Sequence, residues 1–234
     1  MGNCMMPTHY AIGICMANVQ RSATYEAVLM YELNQTTNAP FFLEIEGAGA
    51  NADNIRLEKI SLDGKLRMID AGLHYDVLRE ELKQPAKYIV EKCGKMLKPL
   101  YKKEMSRKDL QIIDILYHET RPIVIGLHVA YRNLALQQAG IPKGFMPGML
   151  RQFKCHKGGI NLLLPVDEKV LALVQQQTKG RTDCVIRPYG DLVGKPLLED
   201  DLMGGFEAAK RQVQYFMDTR KKALEEMFKL LGSG

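Results

Sequence analysis

The end of the chain constrains the fold most. Between Phe206 and Leu231, the residues Phe206, Ala209, Val213, Phe216, Ala223, Met227 and Leu230 recur at helical spacing, interrupted by Arg220 and stopped by Gly232. Such a stripe predicts one long amphipathic helix. Its apolar side has to be covered, either by the body of the protein or by a second subunit.

The segments before it alternate in character. In HYAIGICM, residues 9 to 16, Tyr10, Ile12, Ile14 and Met16 fall on one side and small residues on the other, which predicts a strand against a core. A helix capped by Ser22 follows, carrying Val28, Leu29 and Leu33. FFLEIE, residues 41 to 46, returns to a strand. Asp63-Gly64 between IRLEKISL and KLRMI predicts a two-residue hairpin.

Beyond Asp70 the pattern is helical. Pro85 opens a helix with Ile89, Cys93, Met96 and Leu100 on one side and Lys87, Lys95 and Lys98 on the other, with Glu91 among the lysines. Ser106 and Asp109 form a capping-box pattern. Pro122 is placed to open a further helix that Gly140 ends, so two helices are expected in succession. Residues 140 to 159 hold five Gly and two Pro and read as a long loop. Leu162 to Val166 reads as a short strand, Asp167 as the cap of a helix running to about Gln177, and CVIRPY as another strand.

The expected fold class is therefore α/β or α+β, with a small N-terminal mixed sheet with a hairpin, a helical middle and a long C-terminal helix. One domain, 1–234, accommodates it, with its sheet-rich region over residues 1–70 and its helix-rich region over residues 71–234.

Composition narrows the setting. No apolar run reaches the length of a membrane-spanning helix, so no membrane partner is expected. The first residues lack the basic region of a secretory signal, and Met6 stands where myristoylation wants Ser or Thr. The five cysteines, Cys4, Cys15, Cys93, Cys155 and Cys184, suit neither a disulfide framework nor a CxxC metal site, which points to the reducing cytoplasm.

Charge is unevenly distributed. Lys and Arg number 6, 15 and 11 in residues 1–80, 81–160 and 161–234, against 10, 6 and 11 Asp and Glu, so the net +5 is concentrated in the middle third. From Glu119 to Asp167 no acidic residue intervenes, while Arg121, Arg132, Lys143, Arg151, Lys154 and Lys157 accumulate. In the glycine-rich loop Phe145 and Phe153 lie among these cations, a pattern suited to phosphate contact and base stacking. The alternative is a solvated helix face beside a loop whose phenylalanines turn into the core.

Other chemistry is less marked. Gly47-Ala48-Gly49-Ala50-Asn51-Ala52 has a GxGxxA spacing, but a hairpin predicted after it leaves no helix to complete a nucleotide site, and no cofactor is expected. The five histidines form no HxxxH pair, and Cys155-His156 alone is too few ligands for zinc. None of the four serines sits in a GxSxG context, and most cysteines lie among apolar neighbours as small hydrophobes. Cys155, between Lys154 and His156, is the candidate for a reactive thiol if exposed. Glu44 and Glu46 alternate along a strand as on a solvated face.

The leading expectation is a non-enzymatic nucleic-acid-binding protein, DNA or RNA, a regulator or nucleoprotein subunit. Its contact residues would be Lys87, Lys95, Lys98, Lys102, Lys103, Arg107, Lys143, Phe145, Arg151, Phe153, Lys154 and Lys157. Two alternatives accompany it: an assembly subunit or homo-oligomer using residues 206–231, and an enzyme on a phosphorylated substrate with the basic loop as anion clamp.

Overall fold

The computed structural model describes residues 8–36, 41–57, 59–74, 105–196, 198 and 204–232. Four strands form one sheet: β1 (Thr8–Cys15), β2 (Phe42–Gly49), β3 (Asn161–Pro165) and β4 (Cys184–Ile186). Their order is β2-β1-β3-β4 and every pairing is parallel. The fold is α/β, and two of its strands come from the second half of the chain.

Parallel strands need crossover connections, and helices supply them. Helix α1 (Arg21–Asn34) links β1 to β2. The short α2 (Ala52–Arg56), α3 (Leu62–His74) and the long α4 (Arg107–Gln138) lie between β2 and β3. Helix α5 (Glu168–Gln177) links β3 to β4, and α6 (Tyr189–Val193) and α7 (Gly205–Gly232) end the chain.

Both faces of the sheet are buried, as parallel sheets require. Ala11, Cys15, Leu43, Ile45, Leu162 and Leu164 face a core shared with α1, α4 and α7. Ile12, Ile14, Ala48 and Leu163 face a second core with Val170 and Val174 of α5. The small residues of β1 thus do not face solvent: a Cβ on Gly13 would sit 2.2 Å from the Tyr25 ring, so α1 packs there at a distance that only glycine permits.

Helix α7 is the long C-terminal helix, and its apolar stripe is covered within the chain by α1 and α4. Arg220, the interruption in the stripe, donates to Glu32 of α1 at 2.7 Å. Tyr189 and Thr219 share a buried hydrogen bond of 2.8 Å between α6 and α7.

Three expectations are corrected. No hairpin forms at Asp63-Gly64, because both residues lie in the first turn of α3, whose Ile69 packs with Ile113, Leu116 and Tyr117 of α4. Tertiary burial outweighs the local turn preference there. Pro122 does not begin a helix but lies inside α4. Its missing N–H affects the carbonyl four residues back at His118, and both residues are on the exposed side of the helix. Ser22 does not cap α1: Gln20 precedes the helix without a side-chain cap bond, and Ser22 is buried in its first turn.

Other local readings hold. Ser106 and Asp109 form the capping box of α4, Gly140 follows that helix at φ +83°, and the Asp167 carboxylate accepts from the Val170 N–H at 2.8 Å. The lysine-faced helix expected after Pro85, with Lys87, Lys95 and Lys98, and the further contact candidates Lys102 and Lys103 lie outside the described residues.

Candidate functional site

In an open parallel sheet, ligands bind beyond the carboxyl ends of the strands, where the connections diverge. From β1 the chain passes through α1 to β2 on one side, and β3 lies on the other. The point of divergence is thus between β1 and β3. The residue that ends β1 there is Cys15.

From Cys15 the backbone makes a five-residue loop, residues 16–20, and enters α1 at Arg21. Four carbonyls between Cys15 and Val19 are held by donors outside the loop. Cys15 O accepts from the Ala50 N–H at 2.8 Å, Met16 O from the Asn51 N–H at 2.9 Å, and Asn18 O from the Leu150 N–H at 3.0 Å. Val19 O accepts from the Arg132 guanidinium at 2.8 Å and Gln20 O from the Thr24 N–H at 2.7 Å. A trans peptide unit points its N–H opposite to its C=O. The N–H groups of residues 16, 17, 19 and 20 therefore point away from those donors. Asn18 has φ 54°, the left-handed excursion that lets successive amides curl around one centre.

The Cys15 sulfur lies within this arrangement. It accepts from the Asn18 N–H at 3.2 Å and lies 3.0 Å from Ser22 Oγ. Ser22 Oγ donates in turn to Asn18 Oδ1 at 2.9 Å. All three residues are buried. The positive end of the α1 dipole adds to the backbone donors at the same place.

Arg21 stands at this end of α1. Its guanidinium donates to Asp167 Oδ2 at 2.7 Å and to Leu198 O at 3.1 Å. Asp167 follows β3 and uses its other oxygen to cap α5, so one carboxylate ties the arginine to the strand beside β1. A cavity of about 150 Å³ opens on the loop, lined by Cys15, Gln20 and Arg21 and by Ile55, Val124 and His128 of α2 and α4.

The glycines of the GxGxxA pattern lie close against this loop and α1. Gly47 and Gly49 are in β2, with the helix α2 after them where a hairpin was expected. A Cβ on Gly47 would lie 2.3 Å from Ser22 O, and one on Gly49 2.7 Å from the carbonyl carbon of Ala17. Glu26 of α1 accepts from the Gly47 N–H at 2.9 Å and pairs with Arg151 at 3.3 Å. Burial pushes its carboxyl above the ordinary range, against the pull of Arg151 and the Gly47 N–H.

The residues chosen from the sequence are distributed otherwise. Of the six cations in the acid-free stretch, three are engaged internally. Arg121 donates to the carbonyls of Ile55 and Arg56, Arg132 is 1% exposed and bridges Val19, Pro147 and Gly148, and Arg151 pairs with Glu26. Lys143, Lys154 and Lys157 are exposed, as is Arg107 at the start of α4. Phe153 is buried against Ile12, Ile14 and Leu163, and Phe145 packs edge-on to Tyr31 at 5.4 Å. Phe153 is enclosed in one core cluster and Phe145 is partly buried against another, so the two rings are not adjacent in the packing.

Cys155 is also corrected. It is half-buried beside Cys184, with the sulfurs 2.9 Å apart, and burial together with that neighbour pushes its thiol up to about 12 in place of the expected lowering. His156 stacks on Tyr10 and bonds Glu46 at 3.0 Å, so Glu46 is not merely solvated. Among the described residues no group of three or more His, Cys, Asp or Glu is placed to hold a metal, and no helix is long and apolar enough to cross a membrane.

Sequence reasoning passed over Cys15, Asn18, Arg21 and Ser22. The available signal was a cysteine ending an alternating strand, five residues, then Arg-Ser opening a helix, with Asn at a position tolerant of positive φ. No family model and no curated protein sequence matches the chain.

Proposed function

We propose that this protein is a cysteine-dependent phosphoryl-transfer enzyme acting on phosphate monoesters. This is the enzymatic alternative raised by the charge distribution, moved from the basic loop to the end of β1. The observation that carries the reading is the Cys15 sulfur, held by the Asn18 N–H where β1 gives way to the N-terminus of α1, with Arg21 lining the same cavity.

The roles follow from the geometry. Backbone N–H groups of residues 16, 17, 19 and 20 and the Arg21 guanidinium receive the phosphoryl oxygens, where negative charge gathers during transfer. Cys15, as thiolate, attacks phosphorus and displaces the ester oxygen, which takes up a proton and leaves as the alcohol. Water then cleaves the cysteinyl phosphate to regenerate the thiol and release inorganic phosphate. Ser22 and Asn18 hold the sulfur and the turn in register, and Asp167 holds Arg21.

Turnover of p-nitrophenyl phosphate tests this. Cys15→Ser should lower kcat by about 10⁴-fold with the circular dichroism spectrum unchanged. Wild-type-like turnover by the variant would refute the assignment.

A second reading, nucleic-acid binding, is favoured by one feature, the exposed Lys143, Lys154 and Lys157 on a single loop. It predicts a steep loss of oligonucleotide affinity with rising salt. A flat salt response would rule it out.

A further inference from the structure

Cys155 and Cys184 lie on segments far apart in sequence that the fold brings together. Cys184 opens β4 and is in register with Asn161 of β3. Cys155 lies in the loop before β3, and its position is fixed on both sides. The preceding Phe153 is buried and donates its N–H to Gly49 O at 3.0 Å, while the following His156 donates its N–H to Asn161 Oδ1 at 2.7 Å. The sulfurs are 2.9 Å apart, so the backbone already holds the two thiols at near bonding range. Both residues are half-buried, which leaves a small oxidant a path to them.

We propose that Cys155 and Cys184 form a redox-active pair that converts between dithiol and intramolecular disulfide, with a small disulfide such as oxidised glutathione as oxidant. One protein thiolate attacks a glutathione sulfur, forming a mixed disulfide and expelling one glutathione thiolate, which takes up a proton. The second protein sulfur, giving up its proton, attacks the first and expels the other glutathione. Two electrons and two protons pass from the protein, and one glutathione disulfide becomes two thiols. The resulting bridge closes a ring containing β3, Asp167 and α5, the segment that positions Arg21. The inference does not depend on the phosphoryl-transfer reading, since Cys15 is not involved in it.

The test uses the full-length reduced protein, incubated with oxidised glutathione, acid-quenched, alkylated and digested without reductant. The expected product is a peptide pair joined through Cys155 and Cys184, reversed by dithiothreitol, with Cys15 still alkylated. Cys155→Ser and Cys184→Ser should each abolish the linked pair and leave the remaining cysteine as a stable glutathione adduct. Cys155 and Cys184 both recovered alkylated, or each recovered as a separate glutathione adduct in the wild-type protein, would overturn the proposal.

Discussion

Arg132 supports the candidate site from within the core. Its guanidinium holds the carbonyls of Val19, Pro147 and Gly148, and burial lowers its pKa to about 10, which leaves it charged at neutral pH. Replacing it with methionine keeps much of the volume but strands those carbonyls. Arg132→Met should cost about 3 kcal/mol in stability, read from the denaturant midpoint, and weaken inorganic phosphate binding. Glu26 makes a prediction of the opposite kind. Burial raises its carboxyl above the ordinary 4.5, so the folded protein keeps a proton that the unfolded chain has released. Stability therefore falls as pH rises from about 4.5 through the raised value, then levels off. In Glu26→Gln, unfolding measured across that window should lose this slope. Neither role is legible in the sequence: a cation inside an acid-free run reads as surface charge, and only the fold shows that Arg121, Arg132 and Arg151 are occupied with carbonyls and a carboxylate. The same holds for Cys15, which reads as a small hydrophobe because the Asn18 N–H and the Ser22 hydroxyl reach its sulfur only through the turn of the loop.

At the scale of elements, β2 and the Cys15 loop depend on each other through glycine. Gly47 lies so close to α1 that an alanine Cβ would meet Ser22 O at 2.3 Å and Glu26 Oε2 at 2.9 Å. Gly47→Ala should destabilise the fold by about 2 kcal/mol and raise KM for a phosphate ester, because the displaced turn carries Ser22 and with it the sulfur. A variant with wild-type stability and KM would show that the close approach is dispensable. Elements with strong local signals were legible: the strands near residues 9–16, 41–46 and 162–166, the caps at Ser106 and Asp167, and the long α7. Those decided by packing were not. Asp63-Gly64 is a turn dipeptide that burial of Ile69 draws into α3, and Pro122 is tolerated in α4 because apolar contacts on both sides of it hold the helix together while its own position faces water.

Across the whole molecule, the order β2-β1-β3-β4 gives the site its place. The parallel sheet directs the carboxyl ends of β1 and β3 to one end, bringing the Cys15 loop and Asp167 near each other from distant parts of the sequence, and Arg21 at the end of that loop pairs with Asp167 at 2.7 Å. Alternation of strands and helices made a fold of both, α/β or α+β, legible in advance, but not that every strand pairing is parallel. Strand order was not, since it rests on long-range pairing that neither composition nor periodicity encodes. The positive middle of the chain divides accordingly: Arg121, Arg132 and Arg151 are engaged by carbonyls and Glu26, while Lys143, Lys154 and Lys157 are exposed, where they can attract an anionic substrate. The central claim is that Cys15 receives the phosphoryl group. Its most direct measurement is rapid acid quench of the enzyme during p-nitrophenyl phosphate turnover, followed by intact and peptide mass analysis. The account predicts one added phosphoryl group, confined to the peptide bearing Cys15 and missing in Cys15→Ser; turnover with no phosphoryl group on Cys15, or with it on another residue, would contradict it.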